Sequence, residues 1–176
     1  MFARSVGLVN VAIMLHSRVP LRLSELAGAS GLPHQVVTSA LLTLEKRGMV
    51  TRRRAGDYDV FAPNTASPYY PSAYLAALVD LPVAAALGGM RAMAAYVYGS
   101  MAIPGKGTPR SDIDLLLVGD FADKAAAREA VGRLGERLER RIDAYLLSPE
   151  ELEAGRTSGD PHVLAALAGV RLFGQV

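Results

Sequence analysis

The sequence predicts an α+β chain of two domains, on three observations. Helical spacing in the first half gives way to two short extended runs around a glycine turn. In the second half, strand-like apolar runs flank an amphipathic helix. The charge changes sign between the two: residues 1–64 carry eight Lys/Arg against four Asp/Glu, and residues 65–176 carry eleven against thirteen. A basic module joined to an acidic one suits polyanion binding coupled to cation binding, although ordinary scatter gives the same split. A chain of 176 residues, 51% of them apolar, can bury a core and holds one large domain or two small ones.

In order along the chain, residues 4–15 set Leu8, Val11, Ala12 and Leu15 on one helical face. Ser24 is an N-cap candidate for a short helix, Glu25 to Ser30, that Gly31 ends at the C′ position. Pro33 can open a further helix to about Arg47, with Val37, Leu41 and Leu44 inward and Gly48 stopping it. Val50 to Arg54 and Tyr58 to Ala62, around Ala55-Gly56-Asp57, read as a β-hairpin. Three helices and a hairpin are the order of a winged helix-turn-helix.

The segment from Leu21 to Asn64, above all the Leu-Glu-Lys-Arg-Gly-Met-Val step at residues 44–50, resembles the MarR and ArsR type of regulators. The resemblance implies a helix in the major groove of duplex DNA, presenting His34, Gln35, Thr38, Ser39 and Lys46. It also implies a wing that brings Arg52, Arg53 and Arg54 to phosphates or the minor groove, most simply in a homodimer. A module for packing or dimerisation alone is the competing reading. Neighbouring strand residues face opposite ways, so three adjacent arginines cannot all point inward.

Residues 65–75, rich in Pro, Ser and Tyr, read as a linker between a first domain at 1–64 and a second at 76–176. Within the second, Ala73 to Val79 and Pro82 to Met93 are helix-like and Ala94 to Tyr98 strand-like. The absence of cysteine excludes disulfides, thiolate zinc sites and cysteine nucleophiles. Val6 to Leu15 is too short to span a bilayer, and Asp80 and Pro82 break the apolar stretch from Ala73 to Met90. The expectation is a cytoplasmic protein with no membrane partner.

The chemistry concentrates between Tyr96 and Asp120: a strand, a Gly-Ser turn, a loop rich in Gly, Pro and Lys, then a strand opened by two aspartates. Asp112 and Asp114, at i and i+2 of a strand, project from one face, with Ile113 turned the other way. Carboxylates so arranged can ligate Mg²⁺, which takes oxygen ligands and keeps waters and substrate phosphates in its shell. Gly99 lets the backbone approach an anion, and the Ser100 amide and hydroxyl can hold a phosphate oxygen. Lys106 and Arg110 are flexible cations in the following loop.

The Gly-Ser…Ser-Asp-Ile-Asp-Leu pattern resembles the DNA polymerase β superfamily of nucleotidyltransferases in its small stand-alone form. A helix from Lys124 to about Arg140, with Ala127, Val131, Leu134 and Leu138 inward, extends the resemblance. So do the strand Arg141 to Leu147 and the closing segment from Ser158 to Gly174. It implies a mixed sheet packed with helices and two Mg²⁺ or Mn²⁺ ions on Asp112 and Asp114. A nucleoside triphosphate, ATP first, would lie against Gly99, Ser100, Lys106, Arg110 and Ser111. The implied third carboxylate is Asp143, whose alternative role is an ion pair with Arg140 or Arg141. The chain departs from the family at Ile103-Pro104-Gly105, where Arg-Gly is common, and in a loop one residue longer. Three functions fit: transfer of a nucleoside monophosphate to a protein, RNA or small-molecule acceptor; a regulator that only senses nucleotide; or an antitoxin-like member of a two-protein module.

Overall fold

The computed structural model describes residues 2–175, which form a mixed α+β architecture with helices and two sheets. The chain divides into two compact units, Met1–Leu81 with Arg137–Glu139 and Pro82–Glu136 with Arg140–Val176.

The first unit contains α1 (Phe2–Leu15), β1 (Leu21–Arg22), α2 (Leu23–Ser30), α3 (His34–Lys46), β2 (Val50–Ala55), β3 (Tyr58–Pro63) and α4 (Tyr70–Val79). Its sheet runs β1-β3-β2, and the β2–β3 hairpin closes at Ala55↔Tyr58 over Gly56-Asp57. Helix α2 starts earlier than Ser24: its N-cap is Arg22, whose backbone N–H donates to the Glu25 carboxylate at 2.7 Å. An acid at the third helical position satisfies an orphan end group, and that outweighs the capping preference of serine. Gly31 ends the helix in the left-handed region, φ 68°, where its N–H donates to the Ala27 carbonyl. Along α3, Val37, Leu41 and Leu44 are buried, as the spacing predicts.

The expected linker does not survive intact. From Tyr70 it is helical, and α4 buries Ala73, Tyr74, Ala77 and Leu78, while the Asn10 amide of α1 donates to the Ala73 carbonyl at 2.8 Å. The Pro and Ser that read as linker are instead a helix start, since proline is tolerated in a first turn. The apolar residues Tyr70–Leu87 are long and apolar enough to cross a membrane by composition, yet they fold as two helices, parted at Asp80 and Pro82.

The second unit contains α5 (Val83–Leu87), β4 (Arg91–Tyr98), β5 (Ile113–Asp120), α6 (Lys124–Arg137), β6 (Ile142–Leu147), α7 (Pro149–Ser158), α8 (Pro161–Leu167) and β7 (Val170–Phe173). Strand β4 begins three residues before the expected Ala94, and α5 is correspondingly short, because Gly88-Gly89 ends it. The sheet order is β6-β5-β4-β7. Strands β5 and β6 are parallel, joined through α6, and the other pairs are antiparallel.

The central position of β5 explains why Leu115 to Val118 reads as a continuous apolar run: both faces are covered and all four residues are fully buried. On one face Ala94, Tyr96, Leu116, Val118 and Leu147 pack with Leu152 of α7 and with Val163 and Ala166 of α8. Each fully buried leucine contributes roughly 1.5–3 kcal/mol, so this face is firmly held. At its other end the same face carries residues that are not apolar.

Candidate functional site

Side-chain alternation and strand register together define that end. Tyr96 and Tyr98 of β4, Asp114 and Leu116 of β5, and Asp143 and Tyr145 of β6 share the face. Asp114 pairs with Asp143 across the parallel β5–β6 ladder and with Tyr98 across β4–β5. Two carboxylates from distant parts of the sequence therefore stand side by side, flanked by a tyrosine.

Gly99 follows Tyr98 and opens a short 3₁₀ turn, Gly99–Ala102. Its φ is +69°, and a Cβ built there would strike the Asp114 carboxylate. Glycine is required twice over, by conformation and by the closeness of that acid. Ser100 is exposed in the same turn.

Asp112 lies just before β5, not within it, while Ile113 is wholly buried. The Arg141 guanidinium lies 3.7 Å from the Asp112 carboxylate and 3.8 Å from that of Asp143. The Asp143 side chain is 63% exposed, so the cost of a charge buried in an apolar strand does not apply to it. Its ion pair with Arg141 realises one of the two roles foreseen for it. Arg140 is buried, and its guanidinium donates to the carbonyls of Thr108 (2.9 Å) and Ser111.

The acids act on one another. The Asp114 carboxyl is pushed above its ordinary value by burial first, then by the charges of Asp143 and Asp112; His162 opposes this weakly. Burial, followed by the charges of Asp114 and Asp143, likewise raises the Tyr98 phenol. Among the described residues no three His, Cys, Asp or Glu side chains converge closely enough to hold an ion by themselves. The donor set still suits Mg²⁺ or Mn²⁺, which uses one or two carboxylates and completes its shell with water and phosphate oxygens. One carboxyl raised by burial and by neighbouring acids is the electrostatic signature of a place that a cation would relieve.

The other residues expected to contact a nucleotide differ. Ser111 is occupied within its own loop, its hydroxyl accepting the Thr108 N–H at 2.9 Å and lying 3.0 Å from the Thr108 hydroxyl. Lys106 and Arg110 are exposed on the loop between Ala102 and Asp112. Sequence reasoning passed over Tyr98, Tyr145, His162, Arg141 as a partner of Asp112, and the role of Arg140 in holding the Thr108 and Ser111 carbonyls rather than pairing with Asp143. Tyr98 directly precedes the Gly-Ser turn and was readable from that position; His162 had no signal.

In the first unit His34, Gln35, Thr38, Ser39 and Lys46 are all exposed on α3. The hydroxyls of Thr38 and Ser39 donate to the carbonyls of His34 and Gln35 within the helix. Arg52 and Arg54 lie on one face of β2 and both pair with Asp59 of β3, Arg54 at 3.6 Å. Arg53 points the other way and is exposed. Comparison with protein-family models, curated proteins and solved structures finds no match to this chain.

Proposed function

We propose that the second unit is a nucleotidyltransferase-type domain of the polymerase β kind. In this reading it transfers a nucleoside monophosphate from a triphosphate, ATP first, to an acceptor hydroxyl, and the first unit is a winged helix that binds duplex DNA, as a homodimer. The observation that supports it is the pairing of Asp114 with Asp143 beneath the Gly99 turn, since that brings paired acids to a glycine-opened backbone.

Asp114 and Asp143, with Asp112 at the strand entrance, would bind the divalent ions, and Gly99 and Ser100 would orient the β- and γ-phosphates. When bound, the ions supply charge neutralisation at the triphosphate and polarisation of the α-phosphorus. Asp143, the more exposed carboxylate of the pair, takes the acceptor proton. The acceptor oxygen bonds to the α-phosphorus, the bond to the β-phosphate breaks, and pyrophosphate leaves.

A second reading, a regulator that senses nucleotide without catalysis, is favoured by Arg141, which already partners Asp112 and Asp143. One experiment separates them. The protein and its Asp143→Asn variant are incubated with α-labelled ATP, Mg²⁺ and cell lysate. Label transferred by the wild type and reduced roughly a hundredfold in the variant supports catalysis. Binding of ATP without any transfer supports the sensor.

A further inference from the structure

One cluster at this site has no part in the scheme above. His162 lies in the first turn of α8, where its backbone N–H donates to the N-cap Asp160 at 2.8 Å. Its Nε2 is 3.0 Å from the Tyr98 hydroxyl. The imidazole meets the rings of Tyr98 and Tyr145 edge-on, at centroid distances of 5.4 and 4.9 Å. Both tyrosines share the sheet face of Asp114 and Asp143, and His162 lies close enough to Asp114 to act on its carboxyl. The two rings and the hydrogen bond fix an otherwise exposed imidazole at the rim of the carboxylate pair.

The hydrogen bond occupies Nε2 and leaves Nδ1 as the ring nitrogen available to a ligand. The phenol can donate to Nε2 or accept from it, and it is the first arrangement that leaves an N–H for a ligand. With the phenol as donor, the ring N–H is the one on Nδ1, on the side away from Tyr98. That N–H has no acceptor among the described residues and is open to solvent. A donor held rigidly beside a metal-binding pair of acids suits an anionic oxygen brought by a ligand.

We propose that His162 is a phosphate-contacting residue of the nucleotide site, its Nδ1–H donating to an oxygen of a triphosphate held beside Asp114 and Gly99. The inference rests on the nucleotidyltransferase reading and adds to it a contact from α8, with Tyr98 as the residue that positions the ring. Adenosine, which has no phosphate, should be indifferent to it.

The test measures affinity for ATP and for adenosine with Ca²⁺ in place of Mg²⁺, so that turnover is slowed, on the full chain and three variants. His162→Ala is expected to weaken ATP about tenfold, the scale of a hydrogen bond to a charged group, and to leave adenosine unchanged. His162→Asn keeps an N–H near the Nδ1 position and should recover much of the affinity. Tyr98→Phe, which frees the ring without removing it, should fall between. Thermal melts establish that each variant is folded. ATP affinity unchanged in a folded His162→Ala protein, or ATP and adenosine weakened alike, overturns the proposal. If Asp114→Asn abolishes ATP binding in that same case, the nucleotidyltransferase reading stands alone. If the wild type does not bind ATP with a divalent ion, both fall.

Discussion

Replacing Asp114 by Asn removes a charge from the end of the sheet with almost no change of shape, and it should stabilise the metal-free protein. The Asp114 carboxyl is held above its ordinary value by burial and then by Asp143 and Asp112. An acid raised in the fold costs stability only when ionised. The cost is therefore absent below the ordinary carboxylate range and appears as pH climbs through the raised folded value. Neighbouring strands set the two carboxylates about 5 Å apart, which at a water-like dielectric gives roughly 0.8 kcal/mol of repulsion. Asp112, two residues along at about 7 Å, adds roughly 0.6 kcal/mol. The water-like limit applies because the Asp143 and Asp112 side chains are 63% and 40% exposed. Allowing for Arg141, the net gain is about 1 kcal/mol, or roughly 4–8 °C in the melting of a unit this size. The assay is thermal unfolding in chelator from about pH 3 to 8. Asp114→Asn should melt above the wild type at neutral pH, and the gap should close on acidification. Added Mg²⁺ with ATP should then raise the wild type by mass action and leave the variant where it was. A variant that melts lower at neutral pH in chelator, or a gap that ignores pH, refutes the electrostatic reasoning.

Four other outcomes follow from the geometry and the proposed function. Gly99→Ala should cost about 1–2 kcal/mol for a left-handed non-glycine residue and should abolish ATP-linked stabilisation, because its Cβ meets the Asp114 carboxylate; a melt and an ATP titration check both. Arg141→Gln removes the cation shared by Asp112 and Asp143, so Mg²⁺ measured calorimetrically should bind about fivefold more tightly. Arg53→Ala should lower the log–log salt slope of duplex binding by about 0.9 for each phosphate left without its cation. Asp59→Asn should tighten that binding by releasing Arg52 and Arg54; fluorescence anisotropy across a salt series reads both.

Much of this fold could be read from the sequence because its signals are local. Val37, Leu41 and Leu44 declare the buried face of α3 by spacing alone, and Gly31 marks a left-handed stop. Leu115 to Val118 betrays a strand covered on both faces. Most of the misses are tertiary. One miss is local: Glu25 reaches back to the Arg22 amide, a third-position acid that outweighs the serine before it. Tyr70 to Ser72 reads as linker until α1 supplies a surface for Ala73 and Tyr74. At the candidate site, the Gly99 turn and the two strand-edge aspartates were legible as a motif. The exposure of Asp143 depends on β6 lying at the edge of its sheet. His162 was invisible because its role depends on where α8 begins relative to Tyr98 and Tyr145, and no spacing encodes that.

The parallel pairing of β5 with β6 has a consequence for how this unit comes to life. Parallel neighbours cannot be joined by a tight turn, so Asp143 meets Asp114 only once the chain has crossed back along the sheet by way of the α6 segment. A slip of one residue in that return would send Asp143 to the opposite face and leave Asp114 alone. Pairing of this non-local kind is slow and late in folding. A partly folded chain can thus display the Gly99 turn and the first aspartates without being able to assemble the pair. If the pair binds a divalent ion as proposed, affinity for that ion becomes a gauge of completed folding, and magnesium would favour the last step of the fold as well as any chemistry that comes after it.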